Sequence, residues 1–252
     1  MEESILLVVT GASRGFGKAI ASIFCVEAST YLKIGRAHVI LVARSAQNLE
    51  ELGRQILQQH EKTSINVKLS CHAADLSALD QLDSHFESLF NEVEVSSFDR
   101  VIFINNHGSL GFLGPCAESP SVDDMRSSID LNITSSLWLS SRFAKLVQES
   151  TSKKCKATLV NISSLLAVES FPTMGIYGVG KAARDHFHKT MAKEISPETL
   201  KILNYAPGPL ETKMVDEIRT APKLDETLRE GFMNPVLLPE ESAMKLIKLV
   251  LS

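Results

Sequence analysis

The sequence predicts an α/β fold, one doubly wound parallel sheet of six or seven strands with helices on both faces, with residues 1–252 as a single domain. Three observations carry this expectation. Short apolar runs alternate along the chain with stretches of helical period. The runs are continuous rather than alternating apolar and polar, as strands buried on both faces require. The first run also passes through a glycine-rich turn directly into a helix-forming segment, which is the opening unit of a nucleotide-binding sheet.

Bulk properties agree with one soluble core. Hydrophobic residues make up 44% of the chain and charged residues 22%, ordinary values for a globular domain. A net charge of −4 argues against a nucleic-acid surface, which needs a basic excess. The four cysteines, Cys25, Cys71, Cys116 and Cys155, lack metal-type spacing. Three of them sit in or beside expected strands or helices, so buried thiols are expected rather than disulfides or a metal site. Met1–Thr10 lacks the basic and small-residue features of a signal peptide, and no apolar run approaches the ~20 residues that span a bilayer. The expected setting is the reducing cytoplasm.

Ile5 to Val9, ILLVV, is the first strand, and Thr10-Gly11-Ala12-Ser13-Arg14-Gly15-Phe16-Gly17 is the turn that follows it. Glycines there permit a tight bend and let backbone approach a pyrophosphate lodged on the helix N-terminus. Their spacing is GxxxGxG; a tight turn with no ligand is the competing reading. The second strand, His38 to Val42, ends in Ala43-Arg44-Ser45 with no carboxylate before Glu50. An acidic residue at that point suits NAD, whereas arginine suits the 2′-phosphate of NADP. Arg44 and Arg14 converging on one phosphate therefore predict NADP(H).

A helix over Asn48 to His60 precedes a third strand, Ile65 to Cys71, which runs into Asp75 and Leu76. Asp75 either caps the next helix or lies at the adenine edge of the dinucleotide. Leu79 to Val93 has helical period, and Arg100 to Ile104 is a fourth strand leading to Asn105-Asn106-His107-Gly108. One long helix is expected from Ser127 to Val147, with Asn132 near its start. Ala157 to Ile162 is the fifth strand and Lys201 to Asn204 a short sixth, ended by Ala206-Pro207-Gly208-Pro209. Glu211 to Phe232 is loosely helical, and Glu240 to Leu251 is a final helix.

Between the fifth and sixth strands lie Ser163, Ser164, Tyr177 and Lys181. If Tyr177 begins a helix, Lys181 lies one turn along the same face. An ammonium beside a phenol favours phenolate; moving the pKa from ~10 to ~7 corresponds to about 4 kcal/mol. A tyrosine so tuned exchanges protons near neutral pH.

In order, these motifs resemble the short-chain dehydrogenase/reductase family: TGxxxGxG at Thr10–Gly17, Asp75, NNxG at Asn105–Gly108, Asn132, Ser164, Tyr177, Lys181 and Pro207-Gly208. The runs INNxGSLG (with His107 where alanine is usual), VNISSL, YxxGKAARD and LNYAPGPLET resemble family members that reduce side-chain ketones of a pterin in tetrahydrobiopterin biosynthesis. The resemblance implies a carbonyl reductase in which Tyr177 donates the proton as hydride arrives from NADPH. It implies that Lys181 holds the nicotinamide ribose and depresses the tyrosine pKa, that Ser164 binds the carbonyl oxygen, and that Asn132 anchors a proton-relaying water. The thirteen-residue interval to Tyr177 selects Ser164 over Ser163. Gly11, Ser13, Gly15, Phe16, Gly17, Asn105 and Gly108 would bind the cofactor beside Arg14, Arg44, Asp75 and Leu76. Pro207, Gly208, Leu210 and Thr212 would pass along the nicotinamide, and Gly208 would also touch substrate. Phe171 and Met174 either line the substrate pocket or pin their loop to the fold. The resemblance further implies a homodimer.

His186 and His188 point to different helix faces and read as solvated or packed side chains, not metal ligands. Trp138 and the phenylalanines read as packing residues. Pterin-reducing members of the family use an aspartate beyond the last helix to hold the pterin amino groups, and the sequence reaches Ser252 without one: either the chain is incomplete, or the substrate is held differently, or it is not a pterin. Other dicarbonyls or aromatic ketones are the alternative substrates this leaves open. A catalytically idle NADP-binding protein is the alternative of a different class.

Overall fold

The computed structural model describes residues 2–61, 63–91, 93–118, 121–150 and 155–252. Among these, six strands form one parallel sheet: β1 (Glu3–Thr10), β2 (Ile34–Ala43), β3 (Asn66–Ala73), β4 (Arg100–Asn105), β5 (Lys156–Ile162) and β6 (Lys201–Tyr205). Their order is β3-β2-β1-β4-β5-β6. Successive β1 residues face opposite sides, which explains the unbroken apolar run. Ile5, Leu7 and Val9 pack beneath α1 (Gly15–Ser29), α2 (Ala46–His60) and α9 (Pro239–Leu251). Leu6 and Val8 join Phe86 of α3 (Leu82–Phe90), Phe143 of α5 (Ser135–Ser150) and Met191 of α6 (Gly175–Glu194) on the other side.

The strand order reverses at β1, which has β2 on one side and β4 on the other. Such a switch opens a crevice beyond the carboxyl ends of the strands. Thr10 fixes this corner: its hydroxyl donates to the Ile104 carbonyl and accepts from the Asn106 amide at 2.9 Å. Asn106 Nδ2 then donates back to Thr10 O at 2.9 Å.

Several boundaries differ from the sequence expectation. Strand β2 begins at Ile34 and takes in Gly35, because it pairs with β1 from Glu3 onward. The span Leu79–Val93 resolves into a 3₁₀ turn at Leu79–Gln81 followed by α3, and Glu92 lies outside the described residues. The long helix expected from Ser127 starts earlier, as α4 (Val122–Ile129), where Ser121 Oγ accepts from the Asp124 amide. It then passes through a π-helical turn, Asp130–Thr134, before α5. The segment Glu211–Phe232 is two helices, α7 (Lys213–Thr220) and α8 (Glu226–Met233), with Pro222 between them and Asp225 capping the second.

Cys25 and Cys155 are buried as expected, and burial pushes their thiols up to about 12 and about 11. Cys71 and Cys116 are exposed instead. Cys71 lies on β3, an edge strand whose outer residues meet solvent, and Cys116 lies in a surface 3₁₀ turn. Of the described residues, none form a cluster suited to a metal, and no helix is long and apolar enough to cross a membrane.

Candidate active site

One cleft of about 1040 Å³ lies over the carboxyl ends of the strands. The turn after β1 forms its floor, contributing Gly11, Ser13, Arg14, Gly15 and Phe16. Gly11 (φ +66°) and Gly15 (φ +55°) take left-handed conformations that favour glycine. Gly17 does not line the cleft; it lies buried beneath, where a Cβ would sit 2.4 Å from the Gly11 carbonyl oxygen. Helix α1 begins there with no side-chain cap, and so does α7 at Thr212. Two helix N-termini without side-chain caps thus border the same cleft, each a ready acceptor of anionic or carbonyl groups.

Arg14 and Arg44 both line the rim, but they face different carboxylates. Arg14 is 3.8 Å from Glu217 of α7, an exposed pair of little energetic weight. Arg44 acts on Asp75, whose carboxyl is held below its usual range first by hydrogen bonds from Ser77. Asp75 accepts from both the Ser77 amide and hydroxyl, so it closes its own loop and caps no helix. Leu76, Gly108, Pro207, Gly208, Leu210 and Thr212 also line the cleft. Asn105 does not. Its side chain is fully buried, donating to Ser136 and to Ser140 Oγ of α5, and Asn106 and His107 occupy the cleft wall in its stead.

Tyr177 stands in the first turn of α6 and Lys181 one turn on, as their spacing predicts. The chain leaves β5 at Ser163, whose amide donates to Tyr205 O, and Ser164 caps a 3₁₀ turn with extended backbone. Ser164 Oγ accepts from the Leu166 amide and acts to lower the Tyr177 pKa, whereas Ser163 Oγ donates to the backbone oxygen of Ser164. Both serines line the cleft with Tyr177. Lys181 Nζ donates to the Ile162 carbonyl at 2.6 Å and lies 5.6 Å from the centre of the Tyr177 ring.

The electrostatics depart from the expectation that Lys181 lowers the tyrosine pKa. Burial dominates and raises the Tyr177 phenol; Arg184 and Ser164 pull the other way. Lys181 is itself driven well below its ordinary value, first by burial and then by Arg184. The cation that acts on the phenol is Arg184, which sequence reasoning passed over. A buried arginine on a helix carries no signal that separates it from a solvated one.

Asn132 lies in the π turn, sharing a small gap with Tyr177, Gly180, Lys181 and Arg184. Its Oδ1 accepts from the Ser109 amide at 2.8 Å, while its buried Nδ2 has no hydrogen-bond partner. An orphaned buried donor costs ~1–3 kcal/mol. His107 is held between Thr10 Oγ1 at 3.0 Å and Ser135 Oγ at 2.8 Å, another contact not foreseen. His186 is exposed and His188 fully buried against Ser140.

Beyond Tyr177 the walls turn apolar, with Leu110, Met174 and Ile218 packed around it. Phe171 and Met174 line the cleft. Thr173 between them has φ +64°, a conformation that costs a non-glycine residue ~1–2 kcal/mol. Two bonds hold it there: Thr173 O accepts from the Gly114 amide, and Thr173 Oγ1 accepts from the Asp225 amide. Among cleft residues from Pro207 onward, Asp225 is the carboxylate.

A family model described as short chain dehydrogenase matches residues 6–223. The chain is 33% identical over 223 residues to sepiapterin reductase of Rattus norvegicus, covering 88% of this chain and 80% of that one. It is 28% identical over 223 residues to benzil reductase ((S)-benzoin forming) of Bacillus subtilis strain 168, covering 87% and 80%. Among solved structures, the KRED1-Pglu enzyme superposes with a TM-score of 0.76 at 25% identity, covering 98% of this chain and 94% of that one.

Proposed function

The chain belongs to the short chain dehydrogenase family, an oxidoreductase acting on CH–OH or C=O groups, and from that premise we propose that it is an NADPH-dependent reductase of pterin side-chain ketones with Tyr177 as proton donor. One observation carries the reading. Ser164, Tyr177 and Lys181 line one cleft, where its polar half, floored by the glycine turn, meets an apolar half. When bound, NADPH supplies the hydride. The residues present fit such a group: the two N-termini without side-chain caps and the left-handed glycines Gly11 and Gly15 form a cradle for phosphates. Gly11, Ser13, Gly15 and Phe16 would hold the pyrophosphate, Asp75 and Leu76 the adenine, and Lys181 the nicotinamide ribose. Pro207 to Thr212 would flank the nicotinamide.

Ser164 orients the substrate oxygen and stabilises charge gathering on it. Tyr177 holds the proton to be delivered at its phenol oxygen. Asn132, with its unpartnered Nδ2, would seat the water that resupplies it through Lys181. The apolar wall excludes water from the reacting carbonyl. Asp225 is the group on the substrate side able to accept from a pterin amino group.

A second reading, an aromatic diketone as substrate, is favoured by that apolar wall and by the likeness to benzil reductase. A panel of sepiapterin, benzil and simple diketones with NADPH separates the two. Sepiapterin consumed fastest is the expected result, and benzil fastest would move the assignment to the second reading. No turnover of any ketone would leave the idle, cofactor-binding alternative.

The cofactor choice has its own test. Arg44→Ala should weaken NADPH binding ~10–100-fold, the ~1.5–3 kcal/mol of a charge-assisted phosphate contact, while NADH changes less than about twofold. Equal losses for both, measured by fluorescence titration, would refute the 2′-phosphate role. Exposed Val122 and Ile129 on α4 and Val179 on α6 support the expected homodimer.

A further inference from the structure

Arg184 heads the fully buried side chains by volume, with 1% exposure. Desolvating a guanidinium costs several kcal/mol unless its donors are met. Here they are met by neutral acceptors. Nε donates to Asn161 Oδ1 at 2.7 Å, Nη1 to the His107 carbonyl at 2.8 Å, and Nη2 to the Asn105 carbonyl at 2.6 Å. The donors are satisfied while the positive charge is left standing. Asp185 next to it is the nearby anion, and its Oδ1 accepts from Asn161 Nδ2 at 3.0 Å.

Arg184 follows Lys181 by three residues and Tyr177 by seven, so helical period puts all three on one face of α6. Asn132, Tyr177, Gly180, Lys181 and Arg184 together bound one small gap beside the reacting phenol. We propose that Arg184 is a positioning residue for proton transfer: its guanidinium clamps the Asn105–His107 segment and β5 to α6 and supplies the positive charge against which Tyr177 ionises.

The other groups facing this pocket do not supply that charge. His107, on the segment after β4, and His188, one turn along α6, are held uncharged at neutral pH chiefly by burial, His188 at about 4. The π turn and β5 present neutral Asn132 and Asn161. Lys181 is pushed toward its neutral form, in part by Arg184. Asp185 opposes Arg184 electrostatically.

The inference rests on Tyr177 being the proton donor, but it is tested on the phenol itself, without turnover. With carbon-13 at tyrosine Cζ, the full-length chain gives resonances from three tyrosines, and Tyr177→Phe identifies the one of interest. In Arg184→Met the Tyr177 ionisation midpoint should rise by at least one pH unit, a tenfold weaker acid, or leave the accessible range. In Asp185→Asn, which keeps an oxygen for Asn161, it should fall. Arg184→Lys, which keeps the charge without the fork, should stay near the wild-type midpoint while the reductase kcat drops. Either predicted shift seen in a folded variant supports the role. A Tyr177 resonance that titrates as in wild type in Arg184→Met or, should that variant not fold, in Asp185→Asn, overturns it and leaves Arg184 as a clamp alone. Absent turnover in the wild type would instead strike the reductase reading, so the two failures are distinguishable.

Discussion

Replacing Tyr177 by phenylalanine should lower the rate of carbonyl reduction ~10²–10⁴-fold, the range for losing a positioned general acid. In barrier height this is about 3–5 kcal/mol. The ring packs among Leu110, Met174 and Ile218, so phenylalanine preserves the apolar contacts and removes only the hydroxyl and its proton. NADPH affinity should therefore stay within about threefold of wild type. The pH dependence follows from the direction of the shift. Burial raises the Tyr177 pKa above its ordinary value, so the phenol stays protonated, and competent as a donor, through neutral pH. Reduction should hold steady into mildly alkaline buffer and decline only as Tyr177 ionises. Alcohol oxidation, which needs the phenolate, should rise over that same alkaline range. Turnover retained by Tyr177→Phe in a steady-state assay would remove the proton-transfer mechanism.

What the sequence made legible divides along a physical line. Runs such as Ile5–Val9 and Arg100–Ile104 announced themselves because a strand covered on both faces has no polar residue to break it. The glycine turn and the Tyr177–Lys181 spacing were readable because each obeys local geometry. What stayed hidden depends on partners distant in sequence. Asn105 looked like a cleft residue by its place after a strand, yet its amide finds Ser136 and Ser140 on α5. The π turn at Asp130–Thr134 inserts one residue into a helix that periodicity alone reads as continuous. Arg184 and Lys181 show the same limit in electrostatics. A pairwise rule places the lysine beside the tyrosine and lowers the phenol, but desolvation, invisible in sequence, reverses the sign.

The glycine turn supports the second large expected loss. An alanine at position 17 would bring its Cβ to 2.4 Å from the Gly11 carbonyl oxygen and 2.5 Å from Asn106 Nδ2. The first contact is with backbone, so no side-chain rotation relieves it. The second strikes the amide that donates to Thr10 O and ties the β4 end to the turn. Such overpacking costs ~1–3 kcal/mol or more, which for a chain of this size is a fall in Tm of roughly 2–12 °C. NADPH affinity should fall at least tenfold, because the shifted turn no longer presents its amides to the pyrophosphate. Two other glycines give the scale. Gly15→Ala meets only Thr212 Cγ2 at 3.6 Å and bears the ~1–2 kcal/mol of its left-handed backbone. Gly231→Ala, in α8 with nothing within 4 Å, should be neutral or stabilising by up to ~1 kcal/mol. The expected order of NADPH affinity, by calorimetry, is Gly231→Ala, then Gly15→Ala, then Gly17→Ala. If Gly17→Ala folds and binds NADPH as tightly as Gly231→Ala, the turn after β1 is only a bend in the chain, and the cofactor has its seat elsewhere in the cleft.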